Sequence, residues 1–165
     1  APIPLVAAIT GHSPAGGAVL ALCCDYRVMA DGPYRIGLNE VQVGLIVPEA
    51  IQLALRRVVG TYRAERLLVA GAMIESADAL ACGFVDETTA VEQVTTRALR
   101  WLDELLALPK HAMLTTRRLA RADLANAYAD LDALPLDDFV EAFFHPETQA
   151  TLQALVARLK SKSEK

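Results

Sequence analysis

Apolar residues in the first part of the chain come in short, unbroken runs rather than in alternation. Leu5–Ile9 is such a run, the pattern of a strand covered on both faces, and Tyr26–Ala30 reads as a second buried strand. Between them, Gly17 to Cys24 is apolar all round and predicts a buried helix, with Pro14 near its first turn. Gly11 to Ser13 and Asp31-Gly32-Pro33 read as turns. Tyr34–Leu38 is a third extended piece, ending at Asn39-Glu40. Strand, helix, strand, turn, strand in that order predicts parallel pairing and an α/β architecture.

After Glu40 the period lengthens. Pro48 starts a predicted helix through Val58, stopped by Gly60, and another runs from Tyr62 to Ala70, stopped by Gly71. Ser76 is placed to cap a short helix to Cys82, with Asp78 in its first turn and Gly83 at its end. Phe84-Val85 reads as a brief extended piece. Val91, Val94, Ala98, Trp101 and Leu105 share one face, so 90–107 is an amphipathic helix ended by Pro109. Residues 110–128 form another, and Leu152, Leu155, Val156 and Leu159 mark a last helix before the polar tail Ser161–Lys165. The chain therefore divides into a strand-rich portion, 1–88, and an all-helical portion, 89–165. The late helices carry wider apolar faces than 165 residues can bury internally, which predicts helix-mediated oligomerisation. The chain opens Ala1-Pro2-Ile3-Pro4 and passes directly into a buried strand, so it is expected to be the later portion of a longer polypeptide.

Charge narrows the partners. The net charge of -4 and the lack of a Lys/Arg stripe argue against a general nucleic-acid binder. The nearest thing to a basic patch, Arg117, Arg118 and Arg121, reads as one exposed helix face. No apolar run approaches the roughly 18 residues that cross a bilayer. Cys23, Cys24 and Cys82 have no metal-ligand spacing and read as buried thiols in a reducing compartment.

Two places could carry chemistry. Pro14-Ala15-Gly16-Gly17 puts two glycines at a helix start, where free N–H groups and the helix dipole suit a phosphate or a developing oxyanion. Close packing that demands small residues explains the same glycines equally simply. Glu40, in Ile36-Gly37-Leu38-Asn39-Glu40-Val41, is a carboxylate among apolar residues, and partial burial would raise its pKa toward that of a general base. An ordinary turn carboxylate is the plainer reading. His12, His111 and His145 are weaker candidates without metal spacing. Asp130, Asp132, Asp137 and Asp138 read as a solvated acidic run.

Taken together, Ala8-Ile9-Thr10-Gly11-His12-Ser13-Pro14-Ala15-Gly16-Gly17, Cys24 to Ala30, and Ile36 to Leu45 resemble the crotonase superfamily of enoyl-CoA hydratases and isomerases. Gly60–Ala70, Gly71 and Ala79–Val85 fit the same pattern. Within the family the likeness is to the Δ3,Δ2-enoyl-CoA isomerase group, whose Cys-Pro-Ala-Gly-Gly is Ser13 to Gly17 here and whose Gly-Leu-Asn-Glu is Gly37 to Glu40. Hydratases carry a second catalytic Glu where this chain has Val19, and a Gly-rich loop where it has Val47-Pro48-Glu49-Ala50.

The resemblance implies a spiral core of ββα units without its N-terminal part, then a helical trimerisation region. It implies a trimer or pair of trimers, and an acyl-CoA thioester as substrate with no separate cofactor and no metal. Glu40 would carry a proton from C2 to C4 of a 3-enoyl-CoA in fatty-acid β-oxidation. The Gly16 N–H would donate to the thioester oxygen, and Pro14, Gly17 and Asn39 would line the substrate. The family's first oxyanion donor lies in an earlier Ala-x-Ser-x-Gly-like segment, which has no counterpart before Leu5, so this chain alone is expected to be inactive. Other crotonase chemistry, such as hydration, and a non-catalytic oligomerisation module stay open as alternatives. The compartment expected is the cytoplasm for a bacterial source, with the mitochondrial matrix possible for a eukaryotic one.

Overall fold

The computed structural model describes residues 1–130, 134 and 136–163. The chain runs β1 (Val6–Ile9), β2 (Ser13–Pro14), α1 (Gly16–Cys23), β3 (Tyr26–Ala30) and β4 (Arg35–Gly37), then a 3-10 turn at Glu40–Val43. It continues through α2 (Glu49–Val59), α3 (Thr61–Ala70), β5 (Ile74–Glu75), α4 (Ser76–Ala81) and β6 (Glu87–Thr89). Helices α5 (Val94–Leu106), α6 (Lys110–Ala120), α7 (Ala122–Ala127), α8 (Asp137–Phe144) and α9 (Pro146–Ser163) complete it. The first four strands alternate between two sheets, β1-β3-β6 and β2-β4-β5. β1, β3 and β6 are all parallel, with Val6 opposite Tyr26 and Ile9 opposite Met29. β2 is parallel to β4, and β5 antiparallel to it. The result is a spiral in which strand, strand, helix recurs as β1-β2-α1 and then β3-β4-α2.

Strand β3 is covered on both faces. Val28 and Ala30 pack with Val94 and Ala98 of α5, and Tyr26 stacks on Trp101 at 4.6 Å between ring centroids. Met29 faces the opposite way, into the main core with Ala18 and Leu22 of α1, Leu55 of α2, Leu68 of α3, Phe84 and Val85. Each large apolar side chain buried this way contributes about 1.5–3 kcal/mol. Arg27, also buried, is paired to Asp86 at 2.7 Å.

Several expectations are corrected. Ser13–Pro14 is not a turn and helix opening but a two-residue strand, paired to β4. Helix α1 is buried on one side only: Ala18, Ala21 and Leu22 are covered, whereas Leu20 is 72% exposed. Its open side and β1, an edge strand, border a cavity of about 440 Å³. Ser76 does not cap α4. It is the first helical residue, buried, and its hydroxyl donates to the Gly32 carbonyl at 2.9 Å because that turn packs against it. Phe84-Val85 is core rather than strand, and pairing falls instead on β6. The expected helix 110–128 breaks at Arg121, whose φ of -114° departs from helical geometry.

The last helix keeps its place, but Val156 and Leu159 are exposed on it. The thiols of Cys23, Cys24 and Cys82 are free but only half-buried. Burial raises the pKa of Cys24. Arg117 and Arg121 are not a solvated face: both turn inward onto Asp25. Asp137 and Asp138 lie exposed in the first turn of α8, while Asp132 and the last two residues of the tail lie outside the described residues.

Candidate active site

The parallel pair β2–β4 brings the two candidate segments to one edge. Pro14 is in register with Gly37, and the Ala15 N–H donates to the Gly37 carbonyl at 2.9 Å. Beyond this register the two strands end together. One chain turns into α1 through Ala15 and Gly16; the other passes through Leu38 and Asn39 to Glu40. The carboxyl ends of parallel strands, where chains part to opposite sides, are where α/β folds leave room for ligands.

Ala15 makes the sharp exit from β2, with φ 45° and ψ -115°. Such a backbone is strained for a residue with a side chain. It lets α1 begin immediately at Gly16, so the first N–H groups of the helix have no acceptor within it. The two glycines then separate. A Cβ on Gly17 would lie 2.8 Å from Ser13 Oγ, so close packing accounts for Gly17. A Cβ on Gly16 would meet nothing within 4 Å. Packing does not explain Gly16, which leaves the space beside the start of α1 open.

Glu40 opens the 3-10 turn. Its Oε2 is buried without a hydrogen-bond partner, as is Asn39 Oδ1. No ion pair involving Glu40 is found among the described residues. Burial raises its pKa above the ordinary 4.5, opposed only by a bond to its own backbone. A desolvated carboxylate with one oxygen left unpartnered keeps lone pairs on that oxygen able to accept a proton. Val19 packs against the core, so α1 adds no second carboxylate at that position.

The other titratable candidates lie elsewhere. His12 Nδ1 accepts the Arg35 N–H at 3.1 Å. His111 and His145 are exposed on the helical portion. Among the described residues, no group of three or more His, Cys, Asp or Glu is placed to hold a metal, and no helix is long and apolar enough to cross a membrane. Sequence reasoning passed over the supports of the Glu40 turn. Gln42 Nε2 donates to the Gly71 carbonyl at 2.8 Å, and Thr148 Oγ1 to that of Gly44 at 2.9 Å. The glycines were the available signal: a Cβ on Gly71 would press on Val41 and Gln42, and one on Gly44 on Thr148.

Known proteins resemble this chain in sequence and in fold. The family model described as enoyl-CoA hydratase/isomerase matches residues 1–164. Human mitochondrial enoyl-CoA delta isomerase 1 is 39% identical over 157 residues, covering 94% of this chain and 52% of the relative. Its mouse counterpart is 38% identical over 159 residues, 96% of this chain and 55% of the relative. A probable enoyl-CoA hydratase of Mycolicibacterium paratuberculosis is 32% identical over 142 residues, 86% of this chain and 55% of the relative. The chain thus spans about half the length of the curated relatives it matches. The crystal structure of human mitochondrial delta3-delta2-enoyl-CoA isomerase superimposes with a TM-score of 0.90 at 37% identity, covering 98% of this chain and 63% of that one. The spiral of paired strands and helices is therefore the crotonase fold, and the chain belongs to the enoyl-CoA hydratase/isomerase family.

Proposed function

We propose that a polypeptide of the relatives' full length carrying this chain is a Δ3,Δ2-enoyl-CoA isomerase of fatty-acid β-oxidation. The observation that carries the reading is Glu40: a half-buried carboxyl whose Oε2 has no partner, at the strand edge where the Gly16 N–H opens into free space. In this reading Glu40 takes a proton from C2 of a 3-enoyl-CoA, made acidic by the thioester and the adjacent double bond. Charge passes to the thioester oxygen, which the Gly16 N–H receives at the start of α1. Glu40 returns the proton to C4, giving the trans-2-enoyl-CoA. Asn39, Pro14 and Gly17 flank the path of the substrate. The transfer needs no metal and no cofactor beyond the CoA of the substrate.

One carboxylate suffices to move a proton between two carbons. Hydration in the hydratase manner employs two, and the apolar Val19 supports isomerisation. The names of the human and mouse relatives support a mitochondrial location for a eukaryotic source. Residues 89–165 act as the oligomerisation region of a trimer or pair of trimers, supported by exposed Leu99, Leu106, Phe143, Phe144, Val156 and Leu159 on its helices. Residues 1–88 are the later portion of the spiral.

Comparing turnover of 3-enoyl-CoA with hydration of 2-enoyl-CoA by the full-length protein tests the assignment. Isomerisation is expected to be the faster. Faster hydration would move the protein to the other chemistry of its family. Unchanged turnover in Glu40→Gln would leave the helical portion as an interaction module.

A further inference from the structure

We propose that Thr148, at the start of α9, positions Glu40 by clamping the turn that carries it. The inference rests on the reading of Glu40 as the base. Among the described residues no ion pair holds that carboxyl and its Oε2 has no hydrogen-bond partner, so its place is decided by the backbone of the 3-10 turn. A single such turn has poor hydrogen-bond geometry and little stability of its own. Here the Leu45 N–H donates to the Glu40 carbonyl at 3.0 Å and the Gly44 N–H to that of Val41 at 3.1 Å. The Leu45 bond depends on Gly44 keeping φ at 82°, since that torsion places the amide that follows it.

Two side chains grip this turn from outside. Gln42 reaches the Gly71 carbonyl on one flank. On the other, Thr148 is 2% exposed and donates to the Gly44 carbonyl across 104 residues of sequence. The approach is close enough that a Cβ on Gly44 would lie 3.1 Å from the Thr148 Cα. The helical portion of the chain thereby reaches into the strand-rich portion at the segment bearing the base. Without the hydroxyl, the Gly44 carbonyl loses a buried donor, the turn loosens, and water and misalignment reach Glu40 together.

The test uses Thr148→Val and Thr148→Ser in the full-length protein, with Glu40→Gln alongside. Thr148→Val keeps the shape of the side chain and removes the donor. Its kcat is expected to fall by about tenfold to a hundredfold, the cost of misplacing a reacting group by about 1 Å, with KM little changed. The acid limb of its pH profile moves to lower pH as water reaches the carboxyl. Thr148→Ser restores both. A Thr148→Val protein with wild-type kcat and an unmoved acid limb overturns the clamp, as does a loss that Thr148→Ser fails to repair. If the Val variant does not fold, Thr148→Ala takes its place; if neither folds, the residue is structural and the proposal is overturned. Activity surviving in Glu40→Gln is a separate failure, of the base itself.

Discussion

Asp25 follows helix α1 and Glu40 follows strand β4, and the fold treats the two carboxylates in opposite ways. Asp25 is saturated. Arg117 donates to it twice at 2.9 Å, the Leu5 N–H at 2.7 Å, and Arg121 pairs with it at 3.2 Å. Arg121 also donates to the carbonyls of Cys23 and Cys24, so the carboxylate ties α6 and the start of α7 to the end of α1. Glu40 has a buried oxygen with no partner. A buried carboxylate with its lone pairs filled stabilises the fold, and one left open is free for chemistry at a cost in stability. Burial alone does not distinguish the two; partners do.

Exchanging each carboxylate for its amide breaks the comparison most directly. Glu40→Gln in the full-length protein is expected to lower isomerase kcat by about 10²–10⁴-fold, the range for losing a general base, with melting temperature unchanged or raised. Asp25→Asn should do the reverse. It strands two largely buried guanidinium groups and is expected to cost about 3 kcal/mol of stability, read from denaturant unfolding, with turnover per folded molecule retained. Equal loss of activity in both would dissolve the distinction.

The pH dependence sharpens it. Protonation of Glu40 should lower kcat by about tenfold per pH unit on the acid side, with the inflection above 4.5 because burial disfavours the charged form. The stability follows from the same shift. A carboxyl whose pKa is raised on folding favours the folded state fully below 4.5, and that contribution is lost as pH rises through the folded-state value. Glu40→Gln should therefore equal wild type in melting temperature at low pH and exceed it at neutral pH. A gap that widens toward low pH would contradict the assigned cause.

The adjacent glycines give the smallest effects and the same division. Gly17→Ala places a methyl against Ser13 and should cost about 1 kcal/mol of stability. Gly16→Ala enters open space and should leave stability within about 0.5 kcal/mol, while crowding the N–H and lowering kcat/KM. Steady-state kinetics and melting of the two variants separate packing from access.

Much of this site was legible in the sequence because it depends on local pattern. The runs 5–9 and 26–30 become β1 and β3, Gly16 begins α1, and Glu40 follows the third extended piece. Elements that exist only through distant partners escaped. β2 is two residues long, and its pairing with β4 is what joins Gly16 to Glu40. No periodicity can announce a strand of that length. The pairing of Asp25 has no signature in the sequence, because Arg117 stands 92 positions away. The arginines looked solvated for the same reason.

The sequence by itself determined the parallel strand-helix-strand core, the helical second part, and which carboxylate and which glycines deserved testing. The core and the helical part follow from the period of apolar residues, and the carboxylate and glycines from the resemblance of segments 8–17 and 36–45 to the crotonase superfamily; both are properties of neighbours along the chain. The tertiary structure decided which carboxylate is paired and which is open, which glycine is packed and which is accessible, and that α9 holds the turn of Glu40. Those are properties of neighbours in space, since hydrogen bonds and desolvation act over a few ångströms whatever length of chain lies between.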